Sequence, residues 1–579
     1  RLYFSDFPPV DAEKKLLNTV LSGISRDNPD LKEEVRYMRR LLYSIPEKKP
    51  HKKDRIRNFF LRCMQLSGPL MAKGLEDTSM YAYNRFIAHN EVGDHPGHFG
   101  ISSDQLHQWI QERHEDFPFT MNTTSSHDTK RGEDVRARLN VISEMPDKWF
   151  KGVYQWNKEN LKYKQNLDED TLAPDFNDEY FIYQTLAGIW PMEDAIDDEF
   201  LQRMEDYLVK ALREAKRHTS WSEEQESYEN AGLQFIHEIL KQDSQFLKSF
   251  LPFVREIKEY GIVNSLSQVA LKYTSPGVAD TYQGDELWNL NLVDPDNRTP
   301  VDYKLRAQYL DELQRHSGTP DFPQKLWNER YSGKIKLWLT HCLLQLRKNE
   351  PETFVKGDYI PLTIRGKWKD HVFAFLRKYR DIYYITVIPL YLSHLKKKDD
   401  HAMPFQIKWD DTRIVFPDEA PFQWKDQING KIYRTFDEIP VSGLLKDFPV
   451  AVLRNITNTE NRQAGVLLHI SSLPGEYGIG DLGPEAYRFA DFLRRSHQKV
   501  WQTLPINPVT AHGGYSPYSA SSAFAGNPLF INPDLLVNEG FLDQDVLDEI
   551  KLVNKGQTDY ENAVDIKKIV HEEAYENFI

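Results

Sequence analysis

The run SSHDTKRGEDVRARL, Ser125 to Leu139, constrains the first part of this chain more than any other stretch. A short alternating apolar pair precedes it, Phe119 and Met121, of the kind a half-buried strand carries. It passes into Val135, Leu139 and Ile142, whose steps of four and three predict the inner face of a helix. His127 and Asp128 therefore fall where a strand ends and a loop begins, with Lys130 and Arg131 directly after them. In a β/α barrel, that face is where chemistry is done. An imidazole beside a carboxylate, with two cations close by, can grip a polyhydroxyl substrate and stabilise developing positive charge. The same residue types also suit a strand end and a helix start on a solvated surface, and on their own they leave both readings open.

The stretch resembles the fourth conserved region of the α-amylase superfamily, in the form carried by maltooligosyltrehalose synthases. That resemblance makes Asp128 the third catalytic carboxylate and His127, Lys130 and Arg131 substrate contacts. Upstream, MQLSGPLMAKGLEDTSMYAYNRFIAHNEVG, Met64 to Gly93, has a Gly-Pro step and an apolar run. It is read as a buried strand reaching a loop that holds Lys73, Glu76 and Asp77. By composition Lys73 and Glu76 form a surface pair; the resemblance makes Lys73 a substrate contact and Glu76 its partner. Downstream, an apolar helix stops at Ser275-Pro276-Gly277 and a short strand, Val278 to Tyr282, leads into Gln283-Gly284-Asp285-Glu286. This resembles the last strand of an α-amylase-type barrel. The turn Asp294-Pro295-Asp296-Asn297-Arg298 is close to the synthase form, placing Asp285 and Arg298 near substrate.

Composition narrows the class. At 579 residues more than one domain is expected, and 40% hydrophobic with 28% charged residues describes a globular chain. A net charge of -14 argues against nucleic acid as a partner, since phosphate binding needs a basic footprint. No apolar run approaches the ~20 residues of a membrane span. Two cysteines, Cys63 and Cys342, provide no disulfide framework, so a reducing cytoplasm is expected. His89, His95 and His98 lack metal-ligand spacing, and no metal or other cofactor is expected. Trp149, Trp156, Trp190 and Trp221 lie in an acidic, helix-rich stretch and are assigned to its core.

Two further changes of pattern follow. After a helix near Leu337 to Leu346 the period becomes two, with an Asn429-Gly430 hairpin turn, which predicts an antiparallel β domain. Then Val466 to His469, a helix opened by Pro484, and Val500 to Ile506 form a βαβ beginning. The phrases SSLPGEYGIGDLG, VWQTLPINP and YSPYSASSAFAGNPLFI resemble the amino-terminal end of 4-α-glucanotransferases (amylomaltases). That resemblance makes Tyr515, Ser516 and Tyr518 acceptor-side sugar contacts.

The expected fold is α/β. Residues 1–350 form the carboxyl-terminal part of a (β/α)8 TIM-type barrel, with a helical insertion over about 147–251. An antiparallel β domain over 351–454 and a linker over 455–462 precede the start of a second TIM-type barrel over 463–579. The first residue is Arg1 and the last helix has no stop signal, so the chain is expected to be an internal piece of something longer. The implied activity is glucan rearrangement on maltooligosaccharides and α-1,4-glucans: a reducing-end α-1,4 linkage becomes α,α-1,1, next to a 4-α-glucanotransferase. A retaining transfer also needs a nucleophile and an acid/base carboxyl. Segments matching these are not found before Asp128, so the piece alone is expected to be inactive. The alternative is a non-catalytic glucan-binding or scaffolding protein built from incomplete enzyme halves.

Overall fold

The computed structural model describes residues 9–43, 50–169, 171–399, 402–435, 437–456, 464–496, 498–551 and 556–579. The chain divides into two compact units, residues 1–456 and 457–579. Beyond Ile456, most of the expected linker lies outside the described residues.

The first unit begins with helices Asp11–Asp27, Lys32–Tyr43 and Pro50–Leu70, which close a small core on Leu21, Val35, Leu42 and Phe60. The expected strand after Met64 is absent. The third helix runs through Gly68 and Pro69 and widens into a π-helical stretch, Met71–Ser79. Leu66 and Leu70, which suggested a buried strand, are 58% and 64% exposed, one helical turn apart on an open face. Lys73, Glu76 and Asp77 therefore sit on helix, where a spacing of four puts Lys73 and Asp77 side by side.

Strand β1 (Met121–Asn122) pairs in parallel with β2 (Val278–Ala279). Its inward residue is Asn122. Phe119 and Met121, read as the half-buried face, are both more than half exposed. The Asn122 amide donates to the carbonyl of Pro276 at 2.9 Å, tying the strand to the turn before β2. Gly277 in that turn has φ 109°, and a Cβ there would lie 2.4 Å from the carbonyl oxygen of Thr120, so this backbone approach admits only glycine.

Helices from Pro146 to Thr274 pack an aromatic core that includes Trp149, Trp156 and Trp190. Trp221 departs from the expectation: it is 54% exposed, lies under the Arg213 guanidinium, and donates its indole N–H to Glu214. The antiparallel β region follows. Its strands are β3 (Asp358–Pro361), β4 (Thr363–Arg365), β5 (Val372–Tyr379), β6 (Ile382–Pro389), β7 (Arg413–Val415), β8 (Gln423–Asp426), β9 (Ile432–Arg434), β10 (Glu438–Pro440) and β11 (Ala451–Asn455). Six form one sheet in the order β9-β8-β11-β6-β5-β3, and β10-β7-β4 form another. Period-two alternation is weak in β5 and β6 because both of their faces are buried.

Helices α1 (Glu133–Glu144), α2 (Gln245–Thr274) and α3 (Lys334–Asn349) meet through buried charge. Lys336 of α3 reaches Glu133 and Asp134, in the first turn of α1, at 2.8 Å each. Lys272, in the last turn of α2, reaches Glu133 at 3.0 Å. Acids at a helix start and a base at a helix end also suit the two helix dipoles. Burial would raise the Glu133 carboxyl, but Lys336 and Lys272 hold it well below the usual range. A third carboxylate, Asp285, is 2% exposed and accepts from the Asn289 amide at 2.8 Å, while its Oδ2 meets no hydrogen-bond donor among the described residues. Two lysines face three carboxylates, and Asp285 has only an amide partner. Burial, with Glu133 nearby, pushes it up to about 7.

In the second unit, β12 (Gly465–Leu467) pairs in parallel with β13 (Val500–Gln502), joined through helix α4 (Pro484–Arg495). Among the described residues, β1–β2 and β12–β13 are the only parallel pairs, each two-stranded. Lys567, 0% exposed, bridges to Asp481 at 2.9 Å, and Asp481 also accepts from Asn532 at 2.8 Å. This fastens the last helix, Tyr560–Phe578, to the glycine-rich loop that holds Asp481.

The raised Asp285 carboxyl carries a pH signature. Unfolded, the group ionises near pH 4; folded, it holds its proton to about 7, so stability falls as pH rises through that window, by up to about 1.4 kcal/mol per pH unit. Asp285→Asn removes this term. The melting temperature of the variant, relative to the native protein, is expected to shift in its favour between about pH 5 and about pH 8. A difference independent of pH would show that Asp285 is ionised in the folded protein.

Candidate functional site

The loop between β1 and α1 is built from short polar contacts. Ser125 Oγ accepts from the backbone N–H of Glu133 at 3.0 Å, which closes the start of α1. Thr129 Oγ1 donates to the carbonyl of Ser126 at 2.7 Å and accepts its N–H at 3.2 Å, so residues 126–129 form a tight turn. Gly132 caps α1 where a Cβ would meet Asn291 Oδ1 at 2.4 Å. At the crest, His127 Nε2 and Asp128 Oδ2 lie 3.4 Å apart with side chains 61% and 69% exposed. The pair faces solvent on a loop whose two flanks are pinned.

Two residues that sequence reasoning passed over do the pinning. Glu91, buried, accepts the N–H of Lys130 at 2.7 Å and of Arg131 at 3.1 Å, one on each carboxylate oxygen. Asn297, also buried, donates its amide to the carbonyl of His127 at 2.9 Å. Asn297 lay within a recognised polar turn, but nothing in the chain pairs it with a loop 170 residues earlier. Glu91 carried no signal of its own, since a carboxylate in a polar stretch reads as surface.

Beside the loop, Asp77 binds two lysines. Its Oδ2 accepts from Lys73 at 2.5 Å and its Oδ1 from Lys130 at 2.8 Å. Burial opposes ionisation of Asp77, but the hydrogen bonds from the two lysines outweigh it and hold the carboxyl below its usual range. The Lys73 amine is raised by the same bond, with smaller contributions from Glu214 and Asp128. Lys130 is almost enclosed, its ammonium 5.5 Å above the Tyr81 ring, whereas Lys73 is 78% exposed. Glu76 is buried on the inner side of the π-helical stretch.

Three further expected substrate neighbours are each held by protein partners. Arg131 is 1% exposed and turned inward, donating to the carbonyls of Ile87 and Asn90 and to the Tyr207 hydroxyl at 3.0 Å. It supports the loop from beneath and does not face the His127–Asp128 crest. Asp285 belongs to the buried network, and Arg298 pairs with Asp294 on the surface at 3.4 Å. Arginine after a lysine looks like a second cation for substrate; packing buries both, Lys130 onto Asp77 and Arg131 onto backbone carbonyls.

His89 pairs with Asp94 at 3.1 Å, and the rings of His95 and His98 stack at 4.5 Å. Among the described residues, possible metal-donor atoms gather at Asp175, Asp178 and His218. That cluster is already filled by protein donors: Asp175 accepts from Arg217 at 2.7 Å and from the N–H of Asp178, and Asp178 accepts from the Tyr228 hydroxyl. It caps the helix Phe176–Ile189.

In the second unit, Tyr515 has φ 55° and its ring stacks on Tyr560 at 4.9 Å. Ser516 Oγ accepts from the N–H of Tyr518 at 3.3 Å, and Tyr518 stands 74% exposed. The loop thus presents one free aromatic face and one aromatic pair, whose second member, Tyr560, was not expected.

Comparison with known proteins finds relatives of two kinds. The family model described as 4-alpha-glucanotransferase matches residues 468–579. The 4-alpha-glucanotransferase of Aquifex aeolicus is 47% identical over 117 residues, 20% of this chain and 24% of that protein. A Mycobacterium tuberculosis protein named as a maltooligosyl trehalose synthase is 32% identical over 393 residues, 68% of this chain and 45% of the relative. The solved structure of maltooligosyltrehalose synthase from Arthrobacter ramosus aligns with TM-score 0.63 and 27% identity, covering 79% of this chain and 52% of that one. The chain thus has a part similar to maltooligosyl trehalose synthases and, over residues 468–579, a part similar to 4-alpha-glucanotransferases. It spans about half the length of the curated synthase relatives it matches.

In the synthase segment, the order of the His127–Asp128 loop depends on Glu91. Glu91→Gln keeps the shape but turns one acceptor into a donor facing an N–H. Hydrogen bonds to charged groups contribute about 1.5–3 kcal/mol, so amide exchange at Lys130 and Arg131 is expected to quicken by about tenfold or more while the α3 amides stay unchanged. Equal protection in both proteins would remove Glu91 from this role.

Proposed function

We propose that this chain works on maltooligosaccharides and α-1,4-glucans, and that its synthase segment belongs to an intramolecular transglucosylation. In this reaction the reducing-end α-1,4 linkage is broken, the released glucose turns within the site, and its anomeric hydroxyl attacks to give an α,α-1,1 linkage. The observation that carries the reading is the exposed His127–Asp128 pair beside Lys73 and Lys130, on a loop with a buried frame. Sugars are neutral and polyhydroxylated, and such a set offers both donors and acceptors to them.

In this reading Asp128 grips the sugar at the cleavage point as the third carboxylate, and His127 holds a neighbouring hydroxyl. Lys73, supported by Glu76, and Lys130 hold the glucose that turns over. A retaining transfer takes its nucleophile and acid/base from two further carboxyls. Excluding water while the glucose turns decides between transfer and hydrolysis. Asp128 lies where a barrel strand would end, so the fold proposed for residues 1–350 is part of a (β/α)8 barrel with a helical insertion over about 147–251 and an antiparallel domain over 351–454. The parallel pair β12–β13 begins a second such barrel, whose Tyr515, Ser516 and Tyr518 meet the acceptor side of a glucan. A glucan-handling chain with two cysteines outside any disulfide fits a cytoplasmic setting.

The test is loss of reducing ends from maltohexaose by the gene product that carries this sequence, compared with its Asp128→Asn variant. Consumption of reducing ends without release of glucose, reduced by about a hundredfold or more in the variant, is the expected result. Glucan binding with no consumption in either protein would instead make the chain a binding or scaffolding protein.

A further inference from the structure

We propose that Asp77 is a positioning residue that holds Lys73 and Lys130 as one cationic clamp on the sugar beside Asp128. The inference rests on the reading above, in which these lysines meet a sugar, and adds a residue to which that reading gives no role.

The two lysines differ in freedom. Lys130 is fixed: its backbone N–H is bound by Glu91, its side chain is 6% exposed, and its ammonium sits over the Tyr81 ring. Lys73 is 78% exposed on a helical surface, where a lysine stem left free samples many rotamers. Asp77 joins them by spending one carboxylate oxygen on each, at 2.5 and 2.8 Å. A spacing of four along the π-helical stretch Met71–Ser79 brings Lys73 and Asp77 onto one side. π-Helical stretches within α-helices recur at functional sites.

The bridge has two consequences for a ligand. The mobile ammonium is ordered before the sugar arrives, so binding does not have to supply that ordering. An ammonium has three N–H donors, and one is taken by Asp77, which leaves two for hydroxyls. Charge also matters. Lys73 lies in the field of Asp77, Glu214 and Asp128, so its positive charge is countered from three sides. A lysine pair compensated in this way suits a neutral polyhydroxyl ligand better than a phosphate.

The test labels the lysines of the full chain with an amine-acetylating reagent, read residue by residue by mass spectrometry, with and without maltohexaose. In the native protein maltohexaose is expected to slow labelling of Lys73. In Asp77→Ala, Lys130 loses its charge-assisted hydrogen bond, so its labelling should rise about tenfold or more, and maltohexaose should no longer protect Lys73. Formate supplies the missing carboxylate without its chain and should restore both effects. A purely structural loss at residue 77 would not be reversed by formate together with sugar. If Asp77→Ala does not reach the native circular dichroism spectrum, Asp77→Asn serves: protection is lost and formate, with its place filled, does not restore it. Retained protection of Lys73 in the folded variant, or no formate effect in Asp77→Ala, overturns the clamp alone. Absence of protection in the native protein overturns both the clamp and the sugar reading it rests on.

Discussion

Two buried lysines set against three buried carboxylates hold the first unit together around its candidate site. Lys336 and Lys272 lie sixty-four positions apart on different helices, and they converge on the first turn of the helix that follows the His127–Asp128 loop. Charges buried this deeply cost several kcal/mol each unless paired, so the pairing dictates which helix ends can meet. Once Glu133 and Asp134 are placed, the start of α1 is placed, and the loop before it has little freedom left. The third carboxylate, Asp285, is held by the Asn289 amide, and burial raises it above the usual carboxylate range.

The site follows the same logic on a smaller scale. Its two most exposed side chains, His127 and Asp128, are carried by backbone that buried groups hold from both flanks, Glu91 on one and Asn297 on the other. Exposure without a frame would give a mobile loop; a frame without exposure would give a core. The division between outward Lys73 and inward Arg131 belongs to this arrangement, because the guanidinium finds carbonyl acceptors beneath the loop and the ammonium does not need them.

Much of this was legible locally. The strand–loop–helix around Asp128 was visible because three apolar residues at helical spacing mark the helix and a run of polar residues marks the loop. The antiparallel region was visible through its hairpin turn at Asn429-Gly430, where Gly430 has the positive φ that such a turn requires. The stretch from Met64 to Ser79 misled for a physical reason: an apolar run ending in Gly-Pro is ambiguous between strand and helix, and Leu66 and Leu70 face outward from a helix that the run alone does not specify. Phe119 and Met121 misled in the same way, since a period of two says that faces alternate and not which of them is buried.

What the sequence by itself determined is the chemical inventory and its local setting. His127, Asp128, Lys73 and Lys130 are named by motifs whose residues lie within a few positions of one another, and short-range backbone preferences place His127 and Asp128 on their loop. Tertiary structure alone decided which of these groups act together. Asp77 meeting Lys130, Asn297 meeting His127, Lys336 meeting Glu133 and Tyr515 meeting Tyr560 all join residues at least 45 positions apart. Such contacts depend on the desolvation and pairing of groups brought together only when the chain packs, and no local pattern in the sequence records them.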